Sequence, residues 1–243
     1  MTAPPRKPHL PDDAALLLDL DGTLLDFAPT PDSVTVPPDL PDILRRLRDG
    51  LGGALAIVTG RPIGDVDRLL GDTPTAVAGE HGAAIRHTQG AAIARADLPP
   101  IPPGWLAAAE RLAEAVPGVL LERKQGSFVL HYRQAPEAGP ALLAALRDLM
   151  HDDRFTIMTA SLAWEIKPTG ADKGHAVIRL MASPPFAGRT PVYIGDDITD
   201  EDGMRAARDL GGEGWQVQQV FGSPAGVRTW LAKVAAYTGS PKG

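Results

Sequence analysis

The stretch AALLLDLDGTL, residues 14–24, decides the fold. Ala14 to Leu20 is a short, mostly apolar run that empties into Asp21-Gly22, the pattern of a buried strand feeding a loop. Asp19 and Asp21 stand two residues apart, so on an extended backbone their carboxylates point to the same side. Two carboxylates held that close repel one another unless a cation or a shared proton intervenes. A magnesium ion answers this well, because it takes oxygen ligands in an octahedron and keeps places for water and phosphate oxygens.

Working outward, strands and helices alternate. Asp39 to Arg48 carries leucine and isoleucine at helical spacing, and Ala54 to Val58 is a second apolar strand ending at Thr59-Gly60-Arg61-Pro62. Pro62 suits a helix start, and Ile63, Val66, Leu69 and Leu70 give that helix an apolar face. Thr75 to Ala78 reads as a third strand. The texture then changes. Ile85 to Ile93 reads as a hairpin turning at Gln89-Gly90, followed by helices over Trp105–Val116 and Ala141–Met150 and strands at Val119–Glu122, Ser127–Tyr132, Phe155–Met158 and Leu162–Ile166. The first pattern resumes with a helix capped by Asp172 and a strand at Pro191–Ile194 ending in Gly195-Asp196-Asp197. A helix capped by Thr199, a last strand over Gly214–Val220 and a final helix opened by Ser223 complete the chain. The expected fold is α/β: a Rossmann-like core with a parallel sheet and helices on both faces, over residues 1–84 and 167–243. An α+β module, residues 85–166, is inserted into it.

Composition narrows the function. The 243 residues hold 44% hydrophobic and 22% charged side chains, enough apolar material for a proper core. A net charge of −6 with no Lys/Arg-rich tract argues against a nucleic-acid partner. The absence of cysteine excludes disulfides, thiolate zinc sites and a cysteine nucleophile. The amino-terminal MTAPPRKPHLPDD is proline-rich with no apolar signal region, and no apolar run is long enough to span a membrane. The expectation is a cytoplasmic protein with no membrane partner.

Each core strand ends in something polar, and ligands of open α/β sheets bind at those ends. The set is Asp19 and Asp21, then Thr59, then Asp196 and Asp197, with Lys173 at a helix start. It can perform phosphoryl transfer. Asp19 attacks phosphorus and forms an aspartyl phosphate. Asp21 protonates the leaving oxygen and then deprotonates the hydrolytic water. Thr59 and nearby backbone N–H groups hold the phosphoryl oxygens, and Lys173 neutralises charge; in the same loop Gly60 is a candidate substrate contact, and Arg61 is one too, with reaching the cap or tying down its loop left open. Asp19, Asp21 and Asp196 are the candidate magnesium ligands. Taken singly, each residue has a plainer role, as a helix cap, a loaded helix start or a surface lysine.

Together these residues resemble the haloacid dehalogenase superfamily of phosphotransferases, through Asp19-Leu20-Asp21-Gly22-Thr23, Thr59-Gly60-Arg61, Lys173-Gly174 and Gly195-Asp196-Asp197. That resemblance implies that Asp21 meets the metal through its backbone carbonyl. A closer resemblance is to the trehalose-6-phosphate phosphatase family, through DLDGTL, TGRP, GEHGA (79–83), LERKQGSFVLHYR (121–133), WEIKPTGADKG (164–174) and GDDITDED (195–202). It implies a hydrolase acting in trehalose biosynthesis, with the inserted module as a specificity cap and Glu122, Lys124 and Glu165 on the sugar hydroxyls. The implied partner is a small sugar phosphate, with a functional link to trehalose-6-phosphate synthase. His81 stands open between a pocket role and a structural one. Another sugar phosphate would fit the same core. A phospho-accepting receiver domain shares the acidic cluster, but Asp21 and the insert argue against it. A non-catalytic sugar-phosphate-binding module would have to lack Asp19 or Asp21, and both are present.

Overall fold

The computed structural model describes residues 8–28, 33–73, 76–124, 126–160 and 162–238. Thr75, and residues 1–7 of the segment read for an export signal, lie outside them. The described chain divides into two compact units: residues Met1–Ala96 with Asp172–Gly243, and the inserted residues Asp97–Ala171.

The first unit is built on a seven-stranded sheet. β1 (Ala14–Leu18) lies between β2 (Leu55–Val58) and β10 (Thr190–Gly195), and pairs parallel with both. β3 (Ala76–Gly79) and β11 (Glu213–Gln216) extend the parallel array on either side, and the hairpin β4 (Ala84–Arg86) and β5 (Ala94–Arg95) adds two antiparallel strands. β1, β2 and β3 are buried at every position, as continuous apolar runs must be when helices cover both faces. The crossovers are α1 (Leu40–Gly50), α2 (Ile63–Leu70) and α6 (Asp200–Asp209); α5 (Lys173–Met181) leads back from the insert to β10. Leu40, Leu44 and Leu47 turn α1 inward while Asp42 and Arg46 face outward. Leu16, Leu17, Leu18, Ile57, Val77, Phe186, Tyr193 and Ile194 form a dry centre.

After β1 the chain goes to β2 on one side, and only much later returns as β10 on the other. This reversal of strand order opens a crevice at the carboxyl ends of β1 and β10, the ligand position of a doubly wound sheet. Asp19 and Asp196 follow directly on those two strands.

The second unit has an antiparallel sheet ordered β6 (Leu120–Arg123), β7 (Phe128–His131), β9 (Ala163–Pro168), β8 (Phe155–Ala160). Two helices, α3 (Pro103–Ala115) and α4 (Gly139–Leu149), pack with it. Its core is its own: Phe128, Leu130, Leu142, Leu146 and Ile166, with Trp105 edge-on to Phe155 and Tyr132 stacked on Trp164.

Two sequence expectations about strands change in detail. β4 and β5, grouped by their hairpin pattern with the insert from residue 85, hydrogen-bond onto β3 in the large sheet. The last strand stops at Gln216, and α7 (Val217–Val220) follows, because the Gln216 side chain accepts from the Gln219 N–H and caps a helical turn. The last helix, α8, runs over Pro224–Thr238. Among the described residues no helix is long and apolar enough to cross a membrane.

Candidate active site

Four loops of the first unit meet at the carboxyl end of its sheet. The first leaves β1. Asp19 continues the ladder, its N–H donating to the Ile194 carbonyl at 2.9 Å, and its side chain is buried. The chain then turns tightly, with Gly22 N–H donating to Leu25 O at 2.8 Å and Gly22 at φ +79°. A side chain on Gly22 is excluded twice: by that dihedral, and because a Cβ would stand 2.3 Å from Asp196 Oδ2.

Lys173 begins α5, where Asp172 caps the helix by accepting from the His175 N–H at 2.8 Å. Only 3% exposed, Lys173 donates to Asp19 Oδ1 at 2.8 Å and to Asp200 Oδ1 at 2.6 Å. Burial works against its charge, but Asp19 and Asp200 outweigh burial and hold the ammonium well above its usual range. Burial pushes the Asp19 carboxyl up, while Lys173 pulls it back.

Asp200, fully buried on the first turn of α6, is the residue the sequence reading underrates. Its Oδ1 accepts from Lys173 and from the Tyr193 hydroxyl at 2.6 Å; its Oδ2 accepts from the N–H groups of Asp196 and Asp197 at 3.0 and 3.1 Å. Asp197, not Thr199, caps α6: its Oδ1 accepts from Thr199 N–H and Oγ1–H and from Asp200 N–H, and Thr199 makes no capping bond of its own.

Asp19, Asp196 and Asp200 bring carboxylate oxygens within 4.8 Å of one another. Burial, then Asp200 and Asp197, raises the Asp196 carboxyl to about 6. A cluster that makes ionisation this costly fits a divalent cation, and an all-oxygen donor set fits a hard one. A carboxylate has about four acceptor positions. Asp200 fills four with protein donors, which makes it the bracket of the cluster and leaves Asp19 and Asp196 with oxygens to offer.

Thr59, buried after β2, accepts from the Arg61 N–H at 3.2 Å, and its own N–H donates to Ala78 O. The Arg61 guanidinium forks onto Asp21, Nε to Oδ2 at 2.6 Å and Nη2 to Oδ1 at 2.7 Å. His81 packs its ring over Gly60, where a Cβ would stand 2.6 Å from Nε2.

In the second unit, cross-strand register aligns Glu122, Val129 and Glu165 across β6, β7 and β9. Pairing in register puts them on one face of the sheet. The opposite face, with Phe128, Leu130 and Ile166, is apolar. Lys124 Nζ donates to Glu165 Oε1 at 3.3 Å and Ser127 Oγ to the same oxygen at 2.8 Å, while His131 Nε2 pairs with Glu122 Oε2 at 2.8 Å. Ser127 and His131 were not singled out in the sequence, though their positions two apart from paired face residues carried the signal.

The model of the Trehalose-phosphatase family matches residues 17–234. A probable trehalose-phosphate phosphatase of Sinorhizobium fredii is 41% identical over 206 residues, covering 83% of this chain and 76% of the relative. Trehalose-6-phosphate phosphatase of Escherichia coli is 37% identical over 214 residues, covering 84% and 77%. Among solved structures, Aspergillus fumigatus trehalose-6-phosphate phosphatase superposes with a TM-score of 0.68 over 93% of both chains at 22% identity, a likeness of fold.

Proposed function

The chain belongs to the trehalose-phosphatase family, and we propose that it hydrolyses trehalose 6-phosphate to trehalose and phosphate through an aspartyl phosphate on Asp19. The observation that carries the mechanism is the buried ion pair of Lys173 and Asp19, 2.8 Å apart at the carboxyl end of β1. A carboxylate held there by one of its oxygens has the other to present to phosphorus, and the lysine balances charge that a phosphoryl group brings in.

The steps divide among this chain's residues. Asp19 attacks phosphorus in line as the bond from phosphorus to the sugar oxygen breaks, and Asp21 delivers a proton to that oxygen. Asp21 then takes a proton from water, whose oxygen attacks the phosphorus of the aspartyl phosphate. This releases phosphate and returns the Asp19 carboxylate. Thr59 accepts from the Arg61 N–H and so has its own hydroxyl proton to donate to a phosphoryl oxygen, beside the Gly60 N–H. Magnesium would be held by the carboxylates of Asp19 and Asp196 and the backbone carbonyl of Asp21. When bound, it neutralises charge on the phosphoryl oxygens. We assign recognition of the sugar to Glu122, Lys124 and Glu165. Their mixed donors and acceptors suit hydroxyl groups, and a substrate lacking a matching hydroxyl would leave them unpaired.

The test is phosphate release from trehalose 6-phosphate, sucrose 6-phosphate and glucose 6-phosphate, with magnesium and with chelator. Preference for the trehalose ester, lost on chelation, is expected. Asp19→Asn should remain folded and lose turnover; substantial residual activity in the pure variant removes Asp19 as nucleophile. Magnesium-dependent release from a different sugar phosphate alone would retain the mechanism and overturn the substrate.

A further inference from the structure

The sequence leaves Arg61 open between substrate, cap and its own loop; its guanidinium occupies both oxygens of Asp21 in a planar fork. The Arg61 side chain is 11% exposed and Asp21 29%, so the pair is largely out of water, where such a bidentate bond fixes the carboxyl plane firmly. The loop carrying Arg61 is itself fastened from β3. The Arg61 carbonyl accepts from Glu80 N–H at 3.0 Å, the Thr59 carbonyl from His81 N–H at 3.0 Å, and the Thr59 hydroxyl from Arg61 N–H. Glu80 and His81 both sit at φ 54°, a left-handed conformation that side-chain-bearing residues take at a cost. Two successive residues in that state, with the His81 ring against Gly60, put the loop where Arg61 reaches Asp21.

We propose that Arg61 is a positioning residue for Asp21, orienting its carboxyl for proton transfer, and that the turn at Glu80-His81 sets the loop from which it does so. The inference rests on the reading of Asp21 as acid and base. The fork uses one acceptor position on each Asp21 oxygen, and the second remains for the leaving oxygen or for water. Orientation matters because a proton transfer misplaced by an ångström forfeits most of its advantage.

The consequence is a dependence on the leaving group. Protonation by Asp21 helps when the departing oxygen is basic, as in a sugar or phenyl ester, and little when it is acidic, as in dinitrophenyl phosphate. Measured as kcat/KM, which reports the first phosphoryl transfer, Arg61→Ala should lose roughly 10- to 100-fold on trehalose 6-phosphate and phenyl phosphate. The loss should shrink toward none on dinitrophenyl phosphate. Arg61→Lys, which retains charge without the fork, should show the same grading, and carries the test if the alanine variant does not fold. In an Asp21→Asn background, Arg61→Ala should cost less than about twofold, since the group it acts through is gone. Equal losses across leaving groups, or an undiminished loss in the Asp21→Asn background, would overturn the proposal and leave the phosphatase reading standing. No turnover of any ester by the unaltered chain would remove both.

Discussion

At the scale of single residues, three buried charges meet at Lys173. Alone, each of Asp19, Asp200 and Lys173 would be too costly to bury in ionised form; together Lys173 offsets one of the two negative charges, and the remaining acceptors of Asp200 are taken by Tyr193 and two backbone N–H groups. Tyr193 is therefore more than core filling. Burial and the neighbouring Asp200 hold its hydroxyl well above its usual range, so it stays a donor. Tyr193→Phe should cost about 1–3 kcal/mol of stability, read from urea unfolding, because Asp200 keeps its burial and loses a partner. It should also lower kcat through slack in Lys173. A variant as stable as the parent would show that Asp200 relaxes without it. Asp19 and Lys173 were legible in the sequence because each sits where an element begins or ends. Tyr193 was not, since a tyrosine inside an apolar strand reads as packing until its hydroxyl is seen against a carboxylate.

At the scale of elements, the edge hairpin carries a pH-sensitive group. His87 follows β4, its Nδ1 buried with no hydrogen-bond partner among the described residues. Burial first, and then the Arg179 guanidinium, lower its value below the usual 6.5. The unfolded chain thus takes up the proton first on acidification. The stability His87 contributes is complete above pH 6.5 and is lost as pH falls from there through the lowered folded value. Melting curves of the parent and His87→Asn should therefore diverge as pH falls below 6.5, with the parent falling more steeply. Parallel curves would show the ring protonates without penalty. The strands and helices were legible from periodicity, whereas the capping of α6 was not. Thr199 and Asp197 are both good caps by type, and only the loop geometry, which turns Asp197 Oδ1 onto three donors, selects between them.

At the scale of the whole molecule, the two units have separate cores, so a change on the polar face of the second sheet should leave the chemistry of the first intact. Lys124→Ala or Glu165→Ala should raise KM or lower kcat for trehalose 6-phosphate and affect a small aryl phosphate less. Equal losses on both would take these residues out of sugar recognition. The antiparallel hairpin was grouped with the insert because its texture matches the insert's, and local pattern does not say which sheet edge a strand will join. What the sequence determined by itself was the alternating order of elements, the doubly wound core, and the candidacy of Asp19, Asp21 and Lys173 for its site. These follow from local periodicity and from side chains placed at strand ends. What only the tertiary structure decided was which charges share a partner: Lys173 between Asp19 and Asp200, Tyr193 on Asp200, Arg61 on Asp21. Asp19 and Lys173 are 154 positions apart along the chain, and Arg61 and Asp21 are 40. No periodicity connects such residues; the twist and strand order of the sheet bring them together, and desolvation there makes each pairing obligatory.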